Sequence, residues 1–503
     1  MTIPYVLLQV VAVPLIASVV SFALGGKLGK HVGWVAWISL AYSAALLLVV
    51  GDGLYGGGQP VSESYAWAPA AGLTFGFLAD NLSLPVALVM ALVCGAVAVH
   101  SMPYLKARFE HLYGGDKQQY GVYYLNFLLV VAGLLGVALS TNLIELYLFV
   151  ELILIPTFFI IALFGYVQRG RVAIMYFVWN QLGAFIFLAG ILLAYSTTGS
   201  FAISSLSAMT TGSSLPYLVF FLIVLGWFVK MGVFGVHMWL PTSEAEPPSS
   251  FAPIMATVVG VGNYVVVRLL VQNMPTIFQS FSIYFMFFAL LTMAFGGAMA
   301  MVQDDVKYLF AWSTMSQNAY SLLGIGSLTL LGVSGGVFYF LSHILGKAIL
   351  FSIAGILLVR TGTRSMKEMG GLAGKMPMTA TLALIGGLIL SAVPPTSGFQ
   401  AEWIMFTGVF YQGAYGANVN LAIGILAIVA TVFTVAYTFW PIKKIFFGEL
   451  PTRLESVTEA PLTMTLPLLF LAGVAILLGI YPDLVSKALV NFATSIHLLK
   501  GGL

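Results

Sequence analysis

Apolar runs of about twenty residues follow one another along almost the whole chain, and each is long enough for a helix to cross the roughly 30 Å hydrocarbon core of a bilayer. Lipid offers no hydrogen-bond partners to backbone N–H and C=O groups, so such a chain folds as spanning helices or as a closed barrel. The run length selects helices. Fourteen spans are expected, at about 3–24, 32–50, 80–103, 123–140, 142–166, 171–195, 216–240, 250–272, 276–302, 308–327, 332–359, 379–411, 420–446 and 462–481. The expected fold is therefore an all-α polytopic membrane protein. Only 7% of the 503 residues are charged, too few to cover a soluble protein of this size. The first run lacks the basic start of a secretory signal and reads as a retained span. Residues 483–499 read as a short amphipathic tail at the surface.

Orientation follows from lysine and arginine placement. The loops after odd-numbered spans carry fifteen of the twenty basic residues, from Lys27 and Lys30 to Lys443, Lys444 and Arg453. The opposite side has only Lys487 and Lys500 in the tail. Both termini are therefore expected outside a bacterial or archaeal cell membrane, with the basic loops in the cytoplasm. The Gly-rich stretch 51–79 and the uncharged stretch 197–215 become external loops.

Two spans carry helix-breaking sequence. The seventh has Gly232 and Gly235 just past Lys230; the twelfth has Val393-Pro394-Pro395-Thr396-Ser397-Gly398 before Glu402. Proline removes an amide donor and kinks a helix. Interrupted spans in corresponding halves of a transporter mark inverted repeats and an ion pathway. The breaks lie five spans apart, and because five is odd, two five-helix units must have opposite topology. The chain divides accordingly into 1–122 (spans one to three), 123–272 (first repeat), 273–447 (second, inverted repeat) and 448–503 (span fourteen and tail).

A charge at membrane depth costs at least ~2.5–3.5 kcal/mol and marks a functional site by default. Sorting ionisable residues by depth leaves Glu145 and Glu151 on span five, Lys230 and His237 on span seven, His343 and Lys347 on span eleven, and Glu402 on span twelve. Asp80 and His100 fall near the ends of span three. At roughly 7 Å and an effective dielectric of ~20, Glu151 and Lys230 would couple by about 2.4 kcal/mol, enough for a proton elsewhere to shift the pair. A static ion pair between helices is the structural alternative. Glu145, six residues earlier, lies on another face and reads equally as anchor or participant. His343 and Lys347 share one helix face, as residues four apart do, which suits a proton relay. His237, near Trp239 and Pro241, fits an interfacial role as well as a transport role. Glu402 follows the break, where freed backbone groups and water are expected.

This row of carboxylates, lysines and histidines spans both halves and reads as a proton wire. It lacks metal-ligand spacing and any nucleophile–base signature. The one cysteine, Cys94, cannot hold an iron–sulfur cluster alone. No GxGxxG or GxxxxGK[ST] motif is present.

Glu151 in LYLFVELILIPTFFII, Lys230 in FVKMGVFGVHMWLP, the loop TSEAEPPSSFAPIMA, the QDDVKYLFAWSTMSQ segment, SHILGKAILFSIAG, and Glu402 in PPTSGFQAEW together resemble the antiporter-like subunits of respiratory complex I. That family includes Mrp-type cation/proton antiporter subunits and membrane-bound hydrogenase subunits. The resemblance covers roughly residues 70–450 and is strongest to the M-type subunit, because the twelfth-span ionisable residue is glutamate. It implies fourteen helices with an inverted repeat, and proton (or Na+) translocation coupled to a redox complex. In that reading Glu151–Lys230 is a gating pair, His343 and Lys347 are the relay, and Glu402 is the terminal proton site. The chain is then a non-redox subunit of an oxidoreductase. Its partners are other antiporter-like subunits, the lipid bilayer and a peripheral arm carrying flavin and iron–sulfur clusters, with no cofactor, metal or nucleic acid bound here. An Mrp-type Na+/H+ antiporter subunit or a membrane-bound hydrogenase subunit is the alternative, and a free-standing secondary transporter is the alternative from another class.

Three departures stand out. The family usually carries a lysine on span eight, eight residues before the arginine that matches Arg268, and here that position is Gly260. Either Asn263, Tyr264 and water bridge the gap, or Lys347 serves as the central base. A hydrated cavity at Gly260 would accept a lysine, whereas a packed helix contact would not. Glycines stand where prolines are common around the seventh-span break, and Tyr308 replaces an expected basic residue. These changes suggest a divergent branch linked to F420H2 or ferredoxin rather than NADH.

Overall fold

The computed structural model describes residues 3–69, 73–209, 211–415 and 418–499; Lys500 lies outside the described residues. The chain opens with α1 (Val6–Leu28) and α2 (Val32–Tyr55), joined by the short turn Gly29–His31. An antiparallel hairpin follows, β1 (Val61–Ala68) and β2 (Leu73–Ala79). Next come α3 (Ser83–Tyr113), α4 (Gln118–Leu139), α5 (Leu143–Phe164), α6 (Arg169–Thr198), α7 (Leu215–Met231) and the short α8 (Leu240–Ala245). Helix α9 (Ala252–Val266) continues into a π-helical turn, Val267–Val271. The rest comprises α10 (Pro275–Met301), α11 (Val306–Gly326), α12 (Leu330–Thr361), α13 (Pro377–Leu390), α14 (Ser397–Tyr415), α15 (Asn418–Phe446), α16 (Leu462–Ile480) and α17 (Asp483–Ser495).

Among the described residues, ten helical segments are long and apolar enough to cross a membrane, so this is a multi-pass membrane protein. The number differs from fourteen for physical reasons. Helices α1 and α2 run on as one segment, Val6–Tyr55. Helices α7 and α13 stop short at the breaks, and α11 is made polar by Ser313, Thr314, Ser316, Gln317 and Asn318. Helix α3 also outruns its expected end at 103 by ten residues, because Lys106 and Glu110 point out of the protein while Tyr104, Leu105 and Phe109 stay buried.

Helix α12 is the axis of the interior, packing on α3, α9, α11, α13, α14, α16 and α17. Around it α3, α4 and α9 are buried on nearly every side. The outer helices α6, α10 and α15 expose apolar residues such as Phe185, Phe287 and Val432, the face lipid requires.

Both breaks form where the sequence places them. Helix α7 ends because Gly232 adopts φ +63°, a left-handed conformation natural to glycine. Trp239 then donates its indole N–H to the Val229 carbonyl at 2.8 Å, returning a partner to the open helix end. The second break separates α13 from α14, and the Thr396 hydroxyl donates to the Val393 carbonyl there at 2.8 Å.

The basic loops gather on one face. Arg364 pairs with Asp305 at 2.7 Å, Lys444 with Asp304 at 3.8 Å, and Arg453 with Glu368 at 3.3 Å. Arg108, Lys307 and Arg364 surround the Tyr166 ring at 4.5, 4.6 and 4.8 Å from its centroid. The opposite end carries a feature that overturns the reading of 51–79 as an irregular loop, and with it a purely helical fold. Residues 61–66 alternate between half-buried Val61, Glu63 and Tyr65 and exposed Ser62, Ser64 and Ala66, a period-two strand pattern. Glu63 turns back to accept from the Leu7 and Leu8 amides at 3.0 and 2.9 Å, satisfying two otherwise unpaired donors at the start of α1.

On that end, Asp80 precedes α3 and meets Arg268 on the π-helical turn. Two guanidinium nitrogens donate to its two oxygens at 2.7 and 2.8 Å. Burial works against ionisation of Asp80, but the Arg268 charge and the Ser83 and Leu82 amides outweigh it and hold the carboxyl at about 2. Near the middle of the bundle, α9 lies against α12 through Gly260. A Cβ at that position would stand 2.6 Å from Cε2 of Phe340 and 3.2 Å from Oδ1 of Asn318. The site of the missing lysine is thus a packed helix contact, not an open hydrated cavity.

Two substitutions test this packing. Asp80→Asn strands the buried Arg268 charge and is expected to cost about 3–5 kcal/mol, read as a lowered thermal midpoint of the detergent-purified protein; a wild-type midpoint would contradict it. Gly260→Ala overpacks the α9–α12 contact and is expected to cost about 1–3 kcal/mol, while Gly260→Lys should reduce the yield of assembled protein sharply. Normal assembly of the lysine variant would show that the contact yields.

Candidate functional site: a buried polar row

Lys230 occupies the last turn of α7, where unpaired carbonyls and the negative end of the helix dipole favour a cation. It is 8% exposed. Glu151 faces it from α5 but makes no contact ion pair with it, and acts on the ammonium across a gap. Gln181 of α6 donates to Glu151 at 3.5 Å. Beside Lys230 is a cavity of about 20 Å³ lined by Tyr176, Asn180, Trp227, Val258 and Val261 among others. That volume holds about one water molecule.

From Lys230 toward α12 no second ammonium intervenes on α9. Polar side chains without partners occupy the space instead. Asn263 donates to the Asn318 backbone carbonyl at 3.4 Å, but its own Oδ1, and both side-chain polar atoms of Asn318, have no hydrogen-bond partner in the protein. Such buried orphans mark places for ordered water.

His343 and Lys347 lie on one face of α12, both almost fully buried. Lys347 donates to the Phe310 carbonyl at 2.7 Å and to the Ser313 hydroxyl. Neither ring nitrogen of His343 has a partner in the protein. On the far side, the Glu402 carboxylate faces Tyr320, Tyr339 and Tyr437. These tyrosines belong to a continuous network. Tyr339 donates to Gln317 at 2.7 Å, Gln317 to Tyr437 at 2.7 Å, and Thr434 joins Tyr437 at 3.0 Å and Tyr320 at 2.8 Å. One helical turn separates Tyr339 from His343, and another separates His343 from Lys347, so α12 carries a continuous polar stripe from the Glu402 side to its middle.

The structure thus sets Glu151 facing Lys230, His343 and Lys347 one turn apart on α12, and Glu402 facing the tyrosines at the other end of the α12 stripe. The other two lie apart. Glu145, fully buried in the first turn of α5, accepts from the Gly76 amide of β2 at 3.1 Å. A Cβ on Gly76 would collide with the Thr141 hydroxyl, so only glycine permits this approach. Glu145 therefore holds the hairpin to the bundle. His237 lies in the first break, stacked on Phe234 and flanked by Phe295 and Trp312, with ring centroids 5.6, 5.1 and 6.0 Å away. It packs the break and joins neither Lys230 nor His343.

Sequence reasoning missed Gln317, Tyr320, Tyr339, Thr434 and Tyr437, which are uncharged. The available signal was spacing: Tyr339, His343 and Lys347 recur every four residues on an otherwise apolar helix. It also missed Glu244 on α8, which is fully buried with neither carboxylate oxygen hydrogen-bonded. The expected span ended at 240, which left Glu244 in a loop.

Comparison with known proteins bears on this arrangement. The chain is 27% identical to an NAD(P)H-quinone oxidoreductase chain 4 of Nostoc sp., over 96% of this chain and 89% of that protein. It is 28% identical to NADH-quinone oxidoreductase subunit M of Rickettsia conorii, over 78% and 76%. It is 30% identical to one of the Na(+)/H(+) antiporter subunits of Alkalihalophilus pseudofirmus, over 86% of this chain but only 56% of that longer protein. In fold it matches a chain of respiratory complex I from Thermus thermophilus with a TM-score of 0.84 at 24% identity, covering 97% of this chain and 99% of that one. It matches a chain of the Mrp complex from Dietzia sp. equally, at 0.84 and 22% identity, covering 98% and 97%. The family profile described as NADH:quinone oxidoreductase/Mrp antiporter, transmembrane, matches residues 140–434, the stretch that holds Glu151, Lys230, His343, Lys347 and Glu402. The chain belongs to the NADH:quinone oxidoreductase/Mrp antiporter family.

Proposed function

We propose that this chain translocates protons as an antiporter-like membrane subunit of a complex I-related, redox-driven pump. The observation that carries the reading is the series of ionisable side chains from Glu151 through Lys230, His343 and Lys347 to Glu402, the middle three buried and the two glutamates half-buried. Ionisable groups at membrane depth are costly, so a static fold has no use for five of them. The two interrupted helices flank the row, Lys230 ending α7 and Glu402 lying five residues inside α14. Between them Oδ1 of Asn263 and the side-chain polar atoms of Asn318 and His343, which have no partner in the protein, are available to water, and the Gln317–Tyr339–Tyr437–Thr434 network provides exchangeable protons.

The Glu151–Lys230 gap gives the row a switch. The two charges lie within each other's field but are not locked by direct hydrogen bonds. A proton arriving elsewhere in the row can therefore shift the balance between them. In this reading the chain crosses the membrane fourteen times in two inverted five-helix units, with α7–α8 and α13–α14 as corresponding interrupted elements. In this reading the basic face is cytoplasmic and both termini are outside. Electron transfer belongs to partner subunits carrying flavin and iron–sulfur clusters. The 30% identity to a Na(+)/H(+) antiporter component supports a second reading, exchange of Na+ against H+.

Glu151→Gln keeps shape and hydrogen bonding but removes the charge. In membrane vesicles supplied in turn with NADH, F420H2 and reduced ferredoxin, this variant is expected to lose most proton pumping while the complex still assembles. Undiminished pumping in an assembled variant would overturn the gating role. Pumping that requires external Na+ would favour the second reading.

A further inference from the structure

We propose that Glu244 is a proton-carrying carboxylate of this site, exchanging protons with Lys347 and connecting the buried row to the basic face. The proposal rests on the proton-translocating reading above and adds a residue and an exit to it.

Glu244 is fully buried on α8, and neither of its oxygens has a hydrogen-bond partner in the protein. A buried carboxylate left without donors costs several kcal/mol unless a cation or water serves it. The groups facing it are Lys347 of α12, with Thr314 and Lys307 of α11. Lys347 in turn has Glu244 as its nearby acidic group. An ammonium has three donors, and two on Lys347 are taken by the Phe310 carbonyl and the Ser313 hydroxyl. The third is not donated to Glu244 directly, which leaves it for a water between the two groups.

The position of α8 supplies the exit. Immediately after Glu244, the Ala245 carbonyl accepts from Arg364 at 3.2 Å, and the Pro247 carbonyl accepts from the buried Lys307 ammonium. Glu246, two residues on, accepts from the Gln168 amide at 2.6 Å, at the start of α6. Glu244 and Glu246 are therefore both buried, Glu246 beside the layer formed by Arg108, Arg364, Lys307 and Tyr166 and Glu244 on its Lys347 side. Gly260 makes such a group necessary: with no ammonium on α9, Lys347 is the central cation, and Glu244 is the acidic partner the structure gives it. The pair spans α8 and α12, so it couples the interrupted element α7–α8 to the axis of the bundle.

The test is Glu244→Gln in the complete complex, in membrane vesicles, beside Glu151→Gln. Protons moved per electron are expected to fall at least twofold with electron transfer retained. Redox-induced infrared difference spectra should lose a protonated-carboxyl band that the wild type shows. A normal ratio with an unchanged infrared spectrum overturns the proposal. If Glu151→Gln abolishes pumping while Glu244→Gln does not, Glu244 alone is excluded; if both pump normally, the translocation reading falls as well. Should the glutamine variant fail to assemble, Glu244→Asp decides, because it keeps a titratable group on a shorter arm. It must then pump with a displaced pH profile, and a profile superimposable on wild type overturns the proposal.

Discussion

The structure depends on keeping an ammonium group in an apolar interior. Lys230 is tolerated because α7 ends beside it, so that carbonyls without helical partners and the negative end of the helix dipole offset part of its desolvation. That requirement places Gly232 at the left-handed position, sends the chain through the His237 aromatic cluster, and restarts it as α8. The restart carries Glu244 into the interior, within the field of Lys347. One buried cation thus accounts for the break, and the break positions the carboxylate that serves the next cation.

The second half solves the same problem with less charge. Glu402 faces three tyrosines rather than a lysine. Tyr339, Gln317, Tyr437 and Thr434 satisfy one another, so the interior there stays polar without further ions. Helix α12 joins the halves: its stripe of Tyr339, His343 and Lys347 runs between the Glu402 network and the α8–α9 contact. The ends of the bundle are held differently, by the Asp80–Arg268 pair and the Glu145–Gly76 bond on one side and by the cation-ringed Tyr166 on the other. Those contacts fix the frame around the row without entering it.

Membrane character, both helix breaks and the ionisable residues at membrane depth were legible because each violates the apolar pattern around it. Four parts were not. The hairpin 61–79 was hidden by its glycines and its short alternation, although Val61, Glu63 and Tyr65 keep a period of two. The uncharged network was invisible to a search for ionisable residues. Gly260 was recognised as a missing lysine, but only the Phe340 ring shows that the space is filled. Glu244 was lost to the assumption that a broken span stops at its last apolar residue; the chain re-enters the interior for six more residues as α8.

The central claim is that the proton path, lacking an ammonium on α9, runs through Lys347 on α12. Its most direct test is the number of protons moved per electron by the assembled complex carrying Lys347→Ala, measured beside Lys230→Ala. The account predicts that the Lys347 variant loses at least as much pumping as the Lys230 variant while electron transfer continues. A near-normal ratio in the Lys347 variant would contradict it.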